Sequence, residues 1–135
     1  KDASHRVGFA ARAAASAIAF DSDSFPAEIT KVASEAAVGA GSKKPASQQI
    51  AAKFAALAAA TKAARMKKSF TEIGNEVRAA SEAAGLKNAI SLLQDDVAGA
   101  MAQHYAYQDL GAQEVGSAVL AILTAAGVAP DEASQ

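Results

Sequence analysis

Alanine occupies 39 of the 135 positions, and all the larger apolar side chains (Val, Ile, Leu, Phe, Met and Tyr) together occupy 30. This ratio constrains the fold more than any motif does. Alanine is the best helix former, and no segment sustains a period-two alternation of β-branched or aromatic residues with polar ones. The chain therefore reads as all-α. Its length suits one domain, so we expect a single bundle of five or six Ala-rich helices over residues 1–130, followed by a loose tail over 131–135.

Local punctuation places the helices. The first spans about Ser4 to Phe20, with Val7, Ala11, Ala14 and Ile18 on one face. Asp21-Ser22-Asp23-Ser24 reads as a turn rich in N-cap residues, and Pro26 sits in the first turn of a second helix carrying Ile29, Val32, Ala33 and Ala36. Gly39-Ala40-Gly41 stops that helix, and Pro45 starts the third. The third helix has the most regular seam: Ile50, Phe54, Leu57, Thr61 and Ala64. Ser69-Phe70-Thr71-Glu72 has capping-box spacing and opens the fourth, with Ile73, Val77, Ala80 and Ala84 as its stripe and Gly85-Leu86 as a Schellman ending. A fifth helix runs from about Asn88 to Tyr107, with Ile90, Leu93, Val97, Ala100 and Met101 on one side. Asp109 is placed to cap a sixth, whose face is Val115, Ala118, Val119, Ile122 and Leu123.

The expected core is Ile18, Ile29, Val32, Ile50, Phe54, Leu57, Ile73, Val77, Ile90, Leu93, Val97, Val119 and Ile122. With so little aliphatic bulk, the five phenylalanines (Phe9, Phe20, Phe25, Phe54 and Phe70) are expected to carry much of the burial energy. A fully buried Phe54 ring would cost about 3–5 kcal/mol to truncate to alanine.

Charge and residue type exclude several functions. The formal net charge is −1, which offers no general field for nucleic acid or an anionic membrane. No cysteine is present, so disulfides, thiolate metal sites and cysteine nucleophiles are ruled out. The longest uncharged stretch, Val115 to Pro130, contains two glycines and is shorter than the roughly 20 apolar residues of a spanning helix. The Lys1–Arg6 start resembles a signal peptide only superficially, because Arg12 interrupts the alanine-rich stretch after it. We read the chain as mature and soluble, either a processed product or an excised domain. Phosphate-loop, nucleophile-elbow and dinucleotide motifs are absent from the sequence, so no catalytic, cofactor or metal residue is assigned and no enzyme is expected.

Three groups of polar residues stand out. His104 lies in Gln103-His104-Tyr105-Ala106-Tyr107, where it serves either as a ligand or pH-responsive group or as a helix-end cation beside two anchoring tyrosines. Glu72 and Glu76 share a helix face and Asp95-Asp96 adjoin, yet no Glu-x-x-His partner accompanies them. Lys62, Arg65, Lys67 and Lys68, with Lys43 and Lys44 before them, form a basic cluster. It suits either an anionic partner or a solvated helix end complementing the macrodipole.

The stretch Lys43-Lys44-Pro45-Ala46-Ser47-Gln48-Gln49-Ile50-Ala51-Ala52-Lys53-Phe54-Ala55-Ala56-Leu57-Ala58-Ala59-Ala60 resembles the middle helix of spidroin helical domains. The preceding Ala-rich helix, the Asp/Ser turn with Phe25 and the later Asn88-Ala89-Ile90-Ser91 segment are similar to that family in order and spacing. The likeness spans about residues 6 to 107, although the chain lacks tryptophan and a Gly-Ala fibre repeat. It implies a secreted, non-enzymatic structural module of a silk-like protein, which keeps a long chain soluble and self-associates when pH, salt or shear changes. The competing expectation is a small helical carrier of lipid or pigment, or an accessory subunit of a larger complex. In that case a groove between small-residue helices would hold the ligand.

Overall fold

The computed structural model describes residues 2–20, 25–43, 46–85 and 89–128. Among them are six helices and no strand: α1 (Asp2–Ala19), α2 (Pro26–Gly39), α3 (Ala46–Arg65), α4 (Phe70–Ala83), α5 (Ala89–Ala106) and α6 (Ala112–Ala125). The all-α bundle expected from the alanine content is the fold observed. The Asp21–Ser24 turn, Pro45, Leu86, Asn88 and the 131–135 tail lie outside the described residues.

Short-range hydrogen bonds set the helix ends. Glu28, Glu72 and Glu114 each reach back to the backbone N–H of their helix's N-cap residue, accepting from Phe25 at 3.2 Å, Ser69 at 3.2 Å and Gly111 at 3.4 Å. At Ser69 the box is reciprocal, because the Glu72 N–H donates to Ser69 Oγ at 3.1 Å. Those bonds stabilise the charged form of Glu72 and hold its carboxyl below the ordinary range, with the Ser69 backbone N–H the largest cause and its hydroxyl next. The sixth helix departs from expectation. Gly111 is its N-cap, and Asp109 instead adopts a left-handed turn conformation (φ 63°) after α5.

At their C-termini α2, α3 and α6 close with paired Schellman bonds, shown in α3 by Lys68 N–H to Ala63 O (3.1 Å) and Lys67 N–H to Ala64 O (3.0 Å). Gly41 and Gly127 supply the positive φ in α2 and α6, but in α3 that position is Lys67 at φ 59°. A side chain is strained there, so Lys67→Gly should raise stability by up to about 1 kcal/mol. Urea denaturation would read this as a higher midpoint at unchanged slope.

The packing centres on α3, which is buried on two sides. Ala51, Ala55 and Ala59 face α1 and α2 in a cluster with Val7, Ala11, Ala15, Ile29, Ala33 and Ala37. Ala52, Ala56, Ala60 and Ala63 join a second cluster with Ile73, Val77, Val97, Met101, Ile122 and Leu123 from α4, α5 and α6. A helix held between two layers must be narrow in both directions, and methyl groups let neighbouring backbones approach closely enough to remain in contact. The same closeness appears between α4 and α6. A Cβ added to Gly74 would meet the carbonyl oxygen of Ile122 at 2.5 Å and the amide nitrogen of Ala126 at 2.9 Å, and would collide with the Ala125 methyl.

One polar contact ties the layers together. Buried Thr30 on α2 donates its hydroxyl to the carbonyl of Ala80, 2.6 Å away in the last turn of α4. The Ala84 amide bonds Ser81 O rather than Ala80 O, so the threonine satisfies a carbonyl at a helix end. Thr30→Val keeps the volume and leaves that buried acceptor unpaired, which is expected to cost about 1–3 kcal/mol in chemical denaturation.

The core differs from the one expected. Ile29, Ile73, Val77, Ile90, Leu93, Val97 and Ile122 are buried, whereas Ile18, Val32, Ile50, Phe54, Leu57 and Val119 are only half-buried. Phe9, Phe20 and Phe25 are 67%, 76% and 68% exposed, and Phe70 is also exposed. Helices touching at alanine spacing build most of the core from methyl groups and a few aliphatics; Tyr105 is the aromatic buried among them, and the phenylalanines lie half-buried or exposed. Truncating half-buried Phe54 is accordingly expected to cost less than the full-burial range.

Candidate ligand groove

Both α1 and α5 pack on α3, but they make no comparable contact with each other. This leaves a groove between them with α3 as its floor, enclosing about 410 Å³. Positions 54, 57, 58, 61, 62 and 65 of α3 follow 3–4 spacing, so they form one stripe along the helix. Phe54, Leu57, Ala58, Thr61, Lys62 and Arg65 all line the groove. The regular seam read from the sequence is therefore in large part this floor. Arg12, Ser16 and Ala19 of α1 and the adjoining Phe20 form one wall, and Ala100 of α5 contributes to the other.

The groove mixes apolar side chains (Phe20, Phe54, Leu57 and Ala58) with the hydroxyls of Ser16 and Thr61, and is cationic at Arg12, Lys62 and Arg65. The Arg65 guanidinium lies over the Phe20 ring, 5.4 Å from its centroid, a cation–π contact that orients it. Lys62 is 8% exposed. Among the described residues, no carboxylate lines the groove. At the side of the groove, Lys53 lies 5.4 Å from the Phe54 centroid and 4.0 Å from Asp96.

The basic cluster expected from the sequence is divided by the fold. Lys62 and Arg65 enter the groove, Lys67 occupies the left-handed end of α3, and Lys68 pairs with Glu76 at 2.8 Å. The acidic pairs are likewise separated: Glu72 caps α4, Glu76 holds Lys68 and Asp96 faces Lys53. No group of three metal-ligating side chains occurs among the described residues, and none of their helices is long and apolar enough to cross a membrane.

His104 sits half-buried at the end of α5, its ring edge-on to Tyr105 at 4.9 Å, with the Gln108 amide 3.2 Å from its Nε2. Tyr105 is buried and meets Phe70 edge-on at 5.5 Å, and burial pushes its phenol above the ordinary range. Burial lowers the His104 pKa, and the nearby Arg65 charge lowers it further. The folded state therefore binds this proton less readily than the unfolded state, whose histidine titrates near 6.5. Stability should fall as the pH drops below about 6.5, and His104→Gln should flatten that part of the profile. Thermal melts from pH 7.5 to 5.5 would reveal the difference.

The sequence pattern pointed to Arg12 only as an interruption of an apolar stretch, did not single out Ser16, and placed Phe20 among the rings expected to be buried. The available signal was their i, i+4, i+8 spacing, which places them on a single stripe of α1 away from Val7, Ala11 and Ala15. Compared with protein-family models, curated proteins and solved structures, the chain matches none.

Proposed function

We propose that the protein is a non-enzymatic helical binding module that holds a small, largely apolar ligand in the groove between α1, α3 and α5. One observation carries this reading. Two large apolar side chains of the central helix, Phe54 and Leu57, line a groove of about 410 Å³ while most of its alanines fill the core. Such a volume lies within the roughly 300–1,000 Å³ of small-molecule sites. Native mass spectrometry and absorbance of the purified protein, followed by titration with a hydrophobic fluorophore, test the reading. A one-to-one complex lost on Leu57→Gln supports it, and a protein that takes up no apolar compound refutes it.

The exposed aromatics favour a second reading, a secreted silk-like structural module that self-associates. Phe9, Phe25 and Tyr107 present rings to solvent from α1, the start of α2 and the turn after α5, and a net charge near zero gives little repulsion between copies. Light scattering from pH 7.5 to 5.5 at two salt concentrations separates the two readings, because the assembly role requires a change in mass and the binding role does not.

A further inference from the structure

We propose that the groove holds one unbranched aliphatic chain, extended along α3, and that its length limits the chain to about a dozen carbons. This rests on the groove being a small-ligand site and adds the shape and chemical class of the ligand.

The floor and one wall of the groove run in register. A Cβ built on Gly8 of α1 would lie 3.8 Å from Cε2 of the Phe54 ring, and the Arg65 guanidinium lies over Phe20, the residue that follows α1. Helices α1 and α3 therefore run side by side in the same direction, with Gly8 beside Phe54 and Phe20 beside Arg65. Each of these contacts brings a phenylalanine ring of one segment against the other, and the two rings mark the ends of the lined stretch. Between them, Ser16 and Ala19 of α1 and Ala100 of α5 put no bulky side chain across the path.

The dimensions select the ligand. Phe54 and Arg65 are 11 residues apart, about 16 Å at the helical rise. Spread over that length, 410 Å³ gives a mean cross-section of about 25 Å², or some 5 Å on a side. Carbon atoms in contact sit about 4 Å apart. The groove thus admits a single file of methylenes and has no room for two chains abreast. An all-trans chain advances about 1.25 Å per carbon, given a C–C bond near 1.5 Å, so about a dozen carbons fill the span. Thr61 donates its hydroxyl to Leu57 O at 2.9 Å, so the middle of the floor does not offer that proton to a polar ligand.

Uncharged probes test this: displacement of the hydrophobic fluorophore by hexan-1-ol, octan-1-ol, decan-1-ol, dodecan-1-ol and tetradecan-1-ol, with cyclododecanol as a compact ring of equal carbon number. Affinity should rise by up to about fourfold per methylene as far as dodecanol and then level. Cyclododecanol should bind at least about tenfold more weakly than dodecanol. Ser16 is exposed on the groove wall one turn before Phe20, so Ser16→Phe is expected to keep its helical circular dichroism while shortening the open run. It should move the levelling point to octanol and leave hexanol unchanged. Affinity that keeps rising through tetradecanol, or equal binding of cyclododecanol and dodecanol, would overturn the chain assignment and leave the carrier reading intact. A Ser16→Phe series that is unchanged or uniformly weakened would do the same, as would a bound fluorophore that no alcohol displaces. If neither the fluorophore nor any alcohol binds, the carrier reading falls as well.

Discussion

Gly74→Ala is expected to destabilise the protein by about 3 kcal/mol or more, enough to unfold a marginal domain outright. The added methyl would meet Ile122 O, Ala126 N and the Ala125 methyl, all on the last two turns of α6 or just beyond it. Two of these are backbone atoms, which cannot rotate aside as a flexible side chain can. Relief requires α4 and α6 to separate, and separation also exposes buried Ile73, Val77, Ile122 and Leu123. The cost therefore exceeds that of an ordinary core overpacking. Gly99→Ala is the matched control. Nothing lies within 4 Å of a Cβ there, so on helix propensity alone it should be neutral or stabilising by up to about 1 kcal/mol. Denaturant midpoints for the two variants should move in opposite directions, and a mild Gly74→Ala would show that the α4–α6 approach is looser than described.

The second large effect is a reversal of the usual ranking by side-chain size. Ile122→Ala should cost about 2–5 kcal/mol, because the side chain is fully buried where α6 packs on α4 and α5 and its removal leaves a cavity in tightly packed surroundings. Phe9→Ala removes a larger apolar group but should stay within about 0.5 kcal/mol, since the ring is 67% exposed. Parallel urea titrations provide the comparison. A Phe9 variant that loses as much as the Ile122 variant would mean that the ring is covered in solution. Sedimentation of the same samples would then show whether a second copy covers it, which is the association the silk-like reading requires.

The seam on α3 shows what sequence periodicity can and cannot reveal. Ile50, Phe54, Leu57, Thr61 and Ala64 were correctly legible as one stripe, because 3–4 spacing fixes which residues share a face. Periodicity does not say what that face meets. The usual inference, that the largest apolar side chains point into the core, fails here because alanines surround the stripe on both sides and serve as the core contacts themselves. The groove was harder to see for a related reason. Arg12 and Arg65 are 53 residues apart and line the same groove only because α1 and α3 pack together. Around the C-terminal end of α3, moreover, the sequence cannot separate a groove-lining cation such as Lys62 from one such as Lys68, which pairs with Glu76.

The capping box at Ser69–Glu72 and the stop at Gly39–Gly41 were read correctly because each depends on bonds within a few residues. Asp109 was misplaced as a cap because the chain makes a left-handed turn there and starts α6 from Gly111. By itself, then, the sequence determined that this chain is helical and roughly where its helices begin and end. Alanine propensity and capping are local properties, and they act whatever the helices pack against. Only the tertiary structure decided which faces are core and which are surface. With so many faces lined by methyl groups, burial free energy per face differs little, and the choice passes to close backbone approaches such as Gly74 against α6 and to the Thr30–Ala80 bond.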